Sequence, residues 1–178
     1  MTFPWLNPAT LKACVSPVTW QWLTDPGPLT PKLNALSDET LLLQLQFSGW
    51  KEIPFSERLC LETSPHERCW IREIVFYGHE KPWEWARTII PESSLTGRLK
   101  AIQTLEDTPL GSLLFHEKSV RSSLTFARLS PDMSFFESVK TFTHTPQHTW
   151  IRRSLFYVEK NPLLLYECFL AALLEAME

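Results

Sequence analysis

Two neighbouring segments of the chain, residues 70–77 and 82–90, are mostly apolar, with a few polar residues among large hydrophobic ones. Both segments are rich in aromatic and β-branched side chains, which is typical of strands. A polar turn at residues 78–81 separates them, and Pro91 ends the second segment. The pattern therefore predicts an antiparallel hairpin.

Two arginines, Arg72 and Arg87, occupy the middle of this hairpin. If the turn closes symmetrically on His79 and Glu80, the two arginines face each other on a side that is otherwise large and apolar. Like charges that face each other repel, and a buried charge needs a partner. Because a guanidinium group binds a carboxylate through two hydrogen bonds, the hairpin predicts a buried pocket for a small carboxylate.

Two alternatives to this pocket stay open. Arginine on a strand is more often a surface residue in a salt bridge, with its aliphatic stem packed on apolar neighbours. A turn longer by one residue would also shift the register and separate the two arginines.

Other segments predict further strands and short helices. Strands are expected at residues 41–48, 120–129, 154–158 and 163–169. Helices are expected after Ser16-Pro17 and Thr108-Pro109, because Ser or Thr followed by Pro is typical of a helix start. Two more helical pieces are expected at residues 32–36 and after Pro91, whereas residues 130–149 are interpreted as a long connection.

One acidic residue, Glu167, stands out in the last predicted hairpin. It shares strand parity with Leu163, Leu165 and Phe169, so its carboxylate is expected on an apolar face. A carboxylate there is either paired with an arginine or shifted in pKa. The structural alternative is a buried salt bridge to Arg72, Arg87 or Arg152.

Length and composition restrict the functional classes. The 178 residues suit one domain, 1–178, and the net charge of −3 gives no electrostatic argument for nucleic acid. The four cysteines form no Cys-x-x-Cys motif and no metal-ligand spacing with histidine, so reduced thiols and no metal site are expected. With no signal peptide and no apolar stretch near 18 residues, we expect a cytoplasmic protein without stable membrane insertion.

An ordered set of motifs carries a family resemblance. It comprises Trp-Ile-Arg-Glu-Ile at 70–74, Pro-Trp at 82–83, Ala-Arg-Thr-Ile-Ile-Pro at 86–91, Thr-Pro-Leu-Gly at 108–111, Leu-Phe at 114–115, Arg-Arg-Ser at 152–154 and Pro-Leu-Leu-Leu-Tyr-Glu-Cys-Phe at 162–169. In this order the motifs closely resemble the bacterial chorismate lyases (chorismate–pyruvate lyases) of ubiquinone biosynthesis.

The resemblance implies an α+β fold, with a twisted, mostly antiparallel sheet, helices on one face and a small internal ligand cavity under helical flaps. It implies elimination of pyruvate from chorismate to give 4-hydroxybenzoate, with no cofactor, by a monomer that is subject to product inhibition. It leaves open a transient transfer of the product to a membrane prenyltransferase.

The resemblance also assigns site residues. Arg72 matches the arginine that holds the ring carboxylate, Leu110 the residue that contacts the ligand through its backbone, and Glu167 the glutamate that meets the 4-hydroxyl group. Leu29 falls where relatives often have Met in the flap, and Arg87 is a candidate for binding the enolpyruvyl carboxylate. The chain departs from the family at Ala86, which replaces a more usual Gly, and at Leu29 itself.

The alternative from another functional class is a binding module. The effector-sensing domains of some bacterial transcription regulators resemble this fold, so a non-catalytic domain that senses a small carboxylate is the second hypothesis. Such domains usually follow a DNA-binding domain, for which residues 1–66 show neither room nor basic charge. An aromatic-acid carrier is a third, weaker alternative.

Overall fold

The computed structural model describes residues 5–115 and 117–178 of the chain. Seven strands form one sheet, in which every pairing is antiparallel. They are β1 (Leu42–Lys51), β2 (Cys69–Gly78), β3 (Lys81–Pro91), β4 (Ser119–Arg121), β5 (Thr125–Arg128), β6 (Trp150–Val158) and β7 (Asn161–Phe169). The spatial order is β1-β2-β3-β7-β6-β4, and β5 pairs with another stretch of β6.

The helices are short. They are α1 (Pro8–Lys12), α2 (Pro17–Thr24), α3 (Leu29–Leu36), α4 (Phe55–Leu61), α5 (Gly111–Leu114), α6 (Phe136–Lys140) and α7 (Ala171–Met177), with 3-10 turns at Glu92–Ser94, Gly97–Thr104 and Pro146–His148. The expected start after Ser16 is confirmed, because the Ser16 side chain accepts a hydrogen bond from the Thr19 amide. The start after Thr108-Pro109 is confirmed as α5, whereas the segment after Pro91 forms 3-10 turns rather than an α-helix.

The hairpin of β2 and β3 closes on the expected turn but not in the expected register. His79 and Glu80 both have positive φ, as a two-residue type I′ turn requires. The pairing then shifts by one residue, because Tyr77 pairs with Pro82 but Phe76 pairs with Glu84, which leaves Trp83 as the extra residue of a β-bulge.

Packing explains why the extra residue is Trp83. Pro82 has no amide hydrogen to contribute to the ladder. The buried Trp83 indole lies against Gly78 so closely that a Cβ atom there would sit 2.3 Å from the ring. This bulge corrects the predicted pairing: Arg72 lies opposite Thr88, and Arg87 lies opposite Glu73.

Both faces of the sheet are covered. On the first face, which carries Arg72 and Ile74, apolar residues of α2, α3, α5 and α7 pack on the sheet. On the second face, residues of α4 and α6 pack around Val75, Trp85 and Cys168. The predicted α+β fold with an antiparallel sheet is confirmed, but the helices are not confined to one face.

Two further expectations concern the segments between strands. The predicted strand at residues 120–129 is divided into β4 and β5, and the connection at 130–149 contains α6 and a 3-10 turn. Within the described ranges, no helix is long and apolar enough to cross a membrane. The four cysteines are all free thiols, as expected.

Candidate active site

A small, partly open cavity lies on the first face of the sheet, between the strands and helices α3 and α5. Its volume is about 50 Å³, and its wall contains three of the residues that the sequence assigned to the site, Leu29, Leu110 and Glu167. The remaining lining residues are Pro28, Thr30, Ile74, Phe76, Glu84, Ala86, Thr88, Gly111, Leu114, Phe115 and Leu165. The wall is therefore largely apolar, with the carboxyl groups of two glutamates at the sheet side.

A larger groove leads to this cavity from outside. It has a volume of about 750 Å³ and shares Pro28, Thr30, Phe76, Gly111 and Phe115 with the cavity wall. Ligand pockets for small molecules usually measure about 300–1,000 Å³. The groove has that size and the inner cavity does not, and residues of α3 and α5 border both spaces. This arrangement agrees with the flap that the resemblance implies.

Glu167 lies at the base of the cavity in a network with two arginines. Its cross-strand neighbour Arg152 donates from Nε to Oε2 at 2.5 Å and from Nη2 to Oε1 at 2.8 Å. Arg121 donates from Nη2 to Oε2 at 2.8 Å. Burial raises the pKa of Glu167, but the charges and hydrogen bonds of Arg152 and Arg121 outweigh burial and hold the pKa below its ordinary value. Glu167 is therefore an anion that is paired with both Arg152 and Arg121, of which Arg152 is one of the three arginines proposed in the structural alternative.

The same two arginines hold the chain that precedes α3. Arg152 Nη1 donates to the carbonyl oxygens of Trp22 and Asp25, at 3.3 and 2.9 Å. Arg121 Nη1 donates to the Pro26 carbonyl oxygen at 2.9 Å. The position of the flap is thus fixed by the groups that neutralise Glu167.

Arg72 lies on the same face as the cavity but does not form part of its wall. It is 1% exposed, and its guanidinium group donates to the carbonyl oxygens of Leu105, Glu106 and Thr108, at 3.3, 2.7 and 2.8 Å. Its cross-strand partner Thr88 does line the cavity. Burial lowers the pKa of Arg72 to about 10, so it remains charged at neutral pH. Arg72 therefore holds the segment that leads into Leu110.

The structure places Arg87 away from the cavity, which corrects the predicted arrangement. The bulge turns its side chain to the second face, where Nη2 lies 3.5 Å from Glu57 and Nη1 lies 3.5 Å from Glu73. Both carboxylates are buried, and burial raises the pKa of Glu57 above its ordinary value. Arg87 is thus the counter-charge of two buried acids and does not face the ligand cavity.

Glu84 is a cavity residue that sequence reasoning missed. It is 2% exposed and lies on the cavity side because of the same bulge. Burial and the nearby charge of Glu167 raise the pKa of Glu84 well above its ordinary value. Burial thus favours the neutral acid at Glu84 more than at an ordinary glutamate. A useful sequence signal was present, since an acid between Trp83 and Trp85 in an apolar strand is unusual.

Cationic groups are in excess among the buried side chains of this face. Arg72 and Arg152 are buried there, the Arg121 side chain is largely buried, and Glu167 is the buried carboxylate whose pKa is lowered. Burial favours the neutral form of Glu84, whereas Asp25 and Asp107 are more exposed acids that also act on these arginines. An apolar cavity with this excess suits a small dianion.

In the described part of the chain, no three His, Cys, Asp or Glu side chains are placed to hold a metal ion. The absence of a cofactor remains a prediction from the family resemblance.

Solved structures with a similar fold are effector domains of transcription regulators. The chain matches the C-terminal domain of the histidine utilization repressor of Pseudomonas syringae with a TM-score of 0.52 and 8% identity, over 74% of this chain and 92% of that domain. It matches the effector domain of PhnF from Mycobacterium smegmatis with a TM-score of 0.51 and 10% identity, over 79% and 88%. At these identities the likeness shows the fold alone.

Sequence relatives are more informative about the family. A chorismate pyruvate-lyase of Proteus mirabilis is 35% identical over 86% of this chain and 81% of its own length. A chorismate pyruvate-lyase of Pectobacterium carotovorum is 32% identical over 84% and 75%. The family model described as chorismate lyase matches residues 2–176. Since that match spans nearly the whole chain, the protein belongs to the chorismate lyase family.

Proposed function

We propose that this protein is a chorismate pyruvate-lyase, which eliminates pyruvate from chorismate and leaves 4-hydroxybenzoate. The observation that carries the proposal is that arginines outnumber the anionic carboxylates buried on the cavity face, since chorismate is a small dianion. Membership of the chorismate lyase family supports the same substrate. The carboxyl groups at the sheet side supply partners for the ring hydroxyl group.

The polarity of the cavity suggests one orientation of the substrate. Thr88 and its neighbour Arg72 mark one end, whereas Glu84 and Glu167 mark the other. We assign the ring carboxylate to the Arg72 end, next to the segment that carries Leu110. The 4-hydroxyl group then meets Glu167, and Leu29 closes the flap over the ring.

We assign the enolpyruvyl carboxylate to Arg121 rather than to Arg87. Arg121 uses three of its five N–H groups in hydrogen bonds to Ser154, Pro26 and Glu167. Its guanidinium group lies 5.7 Å from the ring centre of Phe115, a residue of the cavity wall. It is therefore a cation with remaining donors at the edge of the cavity.

The reaction needs orientation more than a strong nucleophile. The C3–O bond breaks, its electron pair leaves with the enolpyruvyl oxygen, and the C4–H electron pair completes the aromatic ring. The proton from C4 ends on the methylene carbon, which yields pyruvate. An apolar cavity holds the enolpyruvyl group over C4–H, and a guanidinium group stabilises negative charge on the departing oxygen.

The decisive test is incubation of the purified protein with chorismate. We expect pyruvate and 4-hydroxybenzoate in equal amounts, measured by a coupled dehydrogenase assay and by chromatography. The Arg72→Ala variant serves as the matched control, with much slower turnover. Binding of 4-hydroxybenzoate without release of pyruvate would instead support the non-catalytic sensing domain.

We also propose that the enzyme acts in the cytoplasm as a monomer. Free cysteines suit a reducing compartment, and the monomer is carried over from the expectation made from the sequence. A flap that moves for release suits product inhibition and a transfer of product to a membrane prenyltransferase. Gel filtration and measurement of inhibition by 4-hydroxybenzoate test these points.

A further inference from the structure

Glu84 and Glu167 line the same cavity, but Glu84 does not share the arginine hydrogen-bond partners of Glu167. The two residues lie on the same face of adjacent strands, since Ala86, two positions after Glu84, pairs with Glu167. Both carboxyl groups line a cavity of about 50 Å³, so an atom placed in that cavity lies near both.

The hydrogen bonds of the nearby arginines go elsewhere. Arg152 and Arg121 donate to Glu167. Among the described residues, no hydrogen-bond partner reaches the buried Oε2 atom of Glu84. Burial beside an anion favours the protonated form of a carboxyl group, and this form carries an O–H donor that needs an acceptor.

We infer that Glu84 is a further ligand-contacting residue, whose neutral carboxyl group donates a hydrogen bond to the same ligand hydroxyl oxygen that donates to Glu167. The inference rests on the proposed function and adds a second contact at the hydroxyl end. A hydroxyl group is both donor and acceptor, so it satisfies the Glu167 anion and the Glu84 acid at once. Specificity for a hydroxyl group over other substituents would follow from this pair.

An aromatic amine distinguishes the two contacts. The amino group of 4-aminobenzoate can donate to Glu167, but its nitrogen is a poor acceptor for Glu84. Benzoate offers neither contact. The wild-type protein should therefore bind 4-hydroxybenzoate about ten-fold more tightly than 4-aminobenzoate, the value of one hydrogen bond. This comparison needs no variant and so does not depend on how a variant folds.

Two substitutions isolate the donor. Glu84→Leu removes the O–H group and should weaken the binding of 4-hydroxybenzoate about ten-fold. The affinities for 4-aminobenzoate and benzoate should stay within about three-fold of the wild-type values. Glu84→Gln keeps an N–H donor of the same shape and should retain most of the affinity for 4-hydroxybenzoate. Glu73→Gln is the matched control, because Glu73 is a buried acid of the same hairpin on the opposite face.

Isothermal titration calorimetry with the three ligands decides the matter. Equal wild-type affinities for 4-hydroxybenzoate and 4-aminobenzoate would overturn the inference. An equal decrease in the affinities for all three ligands in Glu84→Leu would also overturn it. A Glu84→Gln variant as weak as Glu84→Leu would also overturn it. Failure of the wild-type protein to release pyruvate from chorismate would instead count against the proposed function, because the binding comparison does not require turnover.

Discussion

Replacement of Glu167 by Gln tests whether the charge network supports the fold as well as the site. Glu167 accepts three hydrogen bonds from two guanidinium groups, all between 2.5 and 2.8 Å. Gln keeps one acceptor oxygen, but its amide group must face at least one arginine donor. Two buried cations then lose their anion.

The structure sets the expected size of the effect. A hydrogen bond to a charged group contributes about 1.5–3 kcal/mol, and removal of one member of a buried ion pair costs about 3–5 kcal/mol. Because Arg152 is fully buried and cannot turn to solvent, we expect Glu167→Gln to lower the free energy of unfolding by about 3–5 kcal/mol.

Urea unfolding followed by fluorescence measures this change, since the chain contains eight tryptophans. Glu73→Gln is the control, and it should cost clearly less because Arg87 keeps its second partner, Glu57. A loss below about 1 kcal/mol in Glu167→Gln, with an unchanged slope against urea, would show that the guanidinium groups do not depend on this carboxylate.

Three further predictions follow from the other buried charges. In Arg72→Ala, three carbonyl oxygens lose their donor, so kcat/KM should fall by an amount equivalent to a loss of about 2–4 kcal/mol of transition-state stabilisation. Arg72→Lys should restore only part of the lost kcat/KM. Near-normal turnover in either variant would show that Arg72 does not hold the site in its active form. Because the pKa of Glu84 is raised in the folded state, the free energy of unfolding of the wild-type protein should fall as the pH rises above the pKa of this side chain in the unfolded state. Relative to Glu84→Gln, the fall should reach up to about 1.4 kcal/mol per pH unit. Parallel curves of stability against pH for the two proteins would refute this prediction. Arg87→Met should lower the free energy of unfolding, because two buried acids lose their counter-charge. In protein that is still folded, Arg87→Met should lower kcat less than Arg72→Ala does. A larger loss of kcat in Arg87→Met than in Arg72→Ala would show that Arg87 acts in the active site.

The sequence predicted the strands of the central hairpins because their apolar residues have strand periodicity. It also predicted the starts of α2 and α5, where a Ser or Thr precedes Pro. Helix α4 was not predicted, since its seven residues are mixed in polarity and its stability comes from packing on the sheet. The break between β4 and β5 falls at residues 122–124, which include two serines, and the strand prediction over residues 120–129 did not separate the two strands there.

One bulged residue accounts for both errors in the site. With symmetric pairing, Arg87 would face the cavity and Glu84 would face away from it. The extra residue Trp83 reverses the faces on which Arg87 and Glu84 lie, because a shift of one position moves every later side chain of β3 to the other face of the sheet. The turn sequence alone did not reveal the bulge, which depends on the contact between Trp83 and Gly78.

The arginine–glutamate network connects ligand contact with the position of the flap. Arg152 and Arg121 donate on one side to Glu167 and on the other to backbone carbonyl groups just before α3. A ligand hydroxyl group that donates to Glu167 would share this carboxylate with the two arginines, and the same arginines hold the segment before α3 in place. Because residues of α3 line the cavity, we expect the strength of these hydrogen bonds to influence release as well as binding. An enzyme built in this way would gain substrate orientation and slow product release from the same contacts.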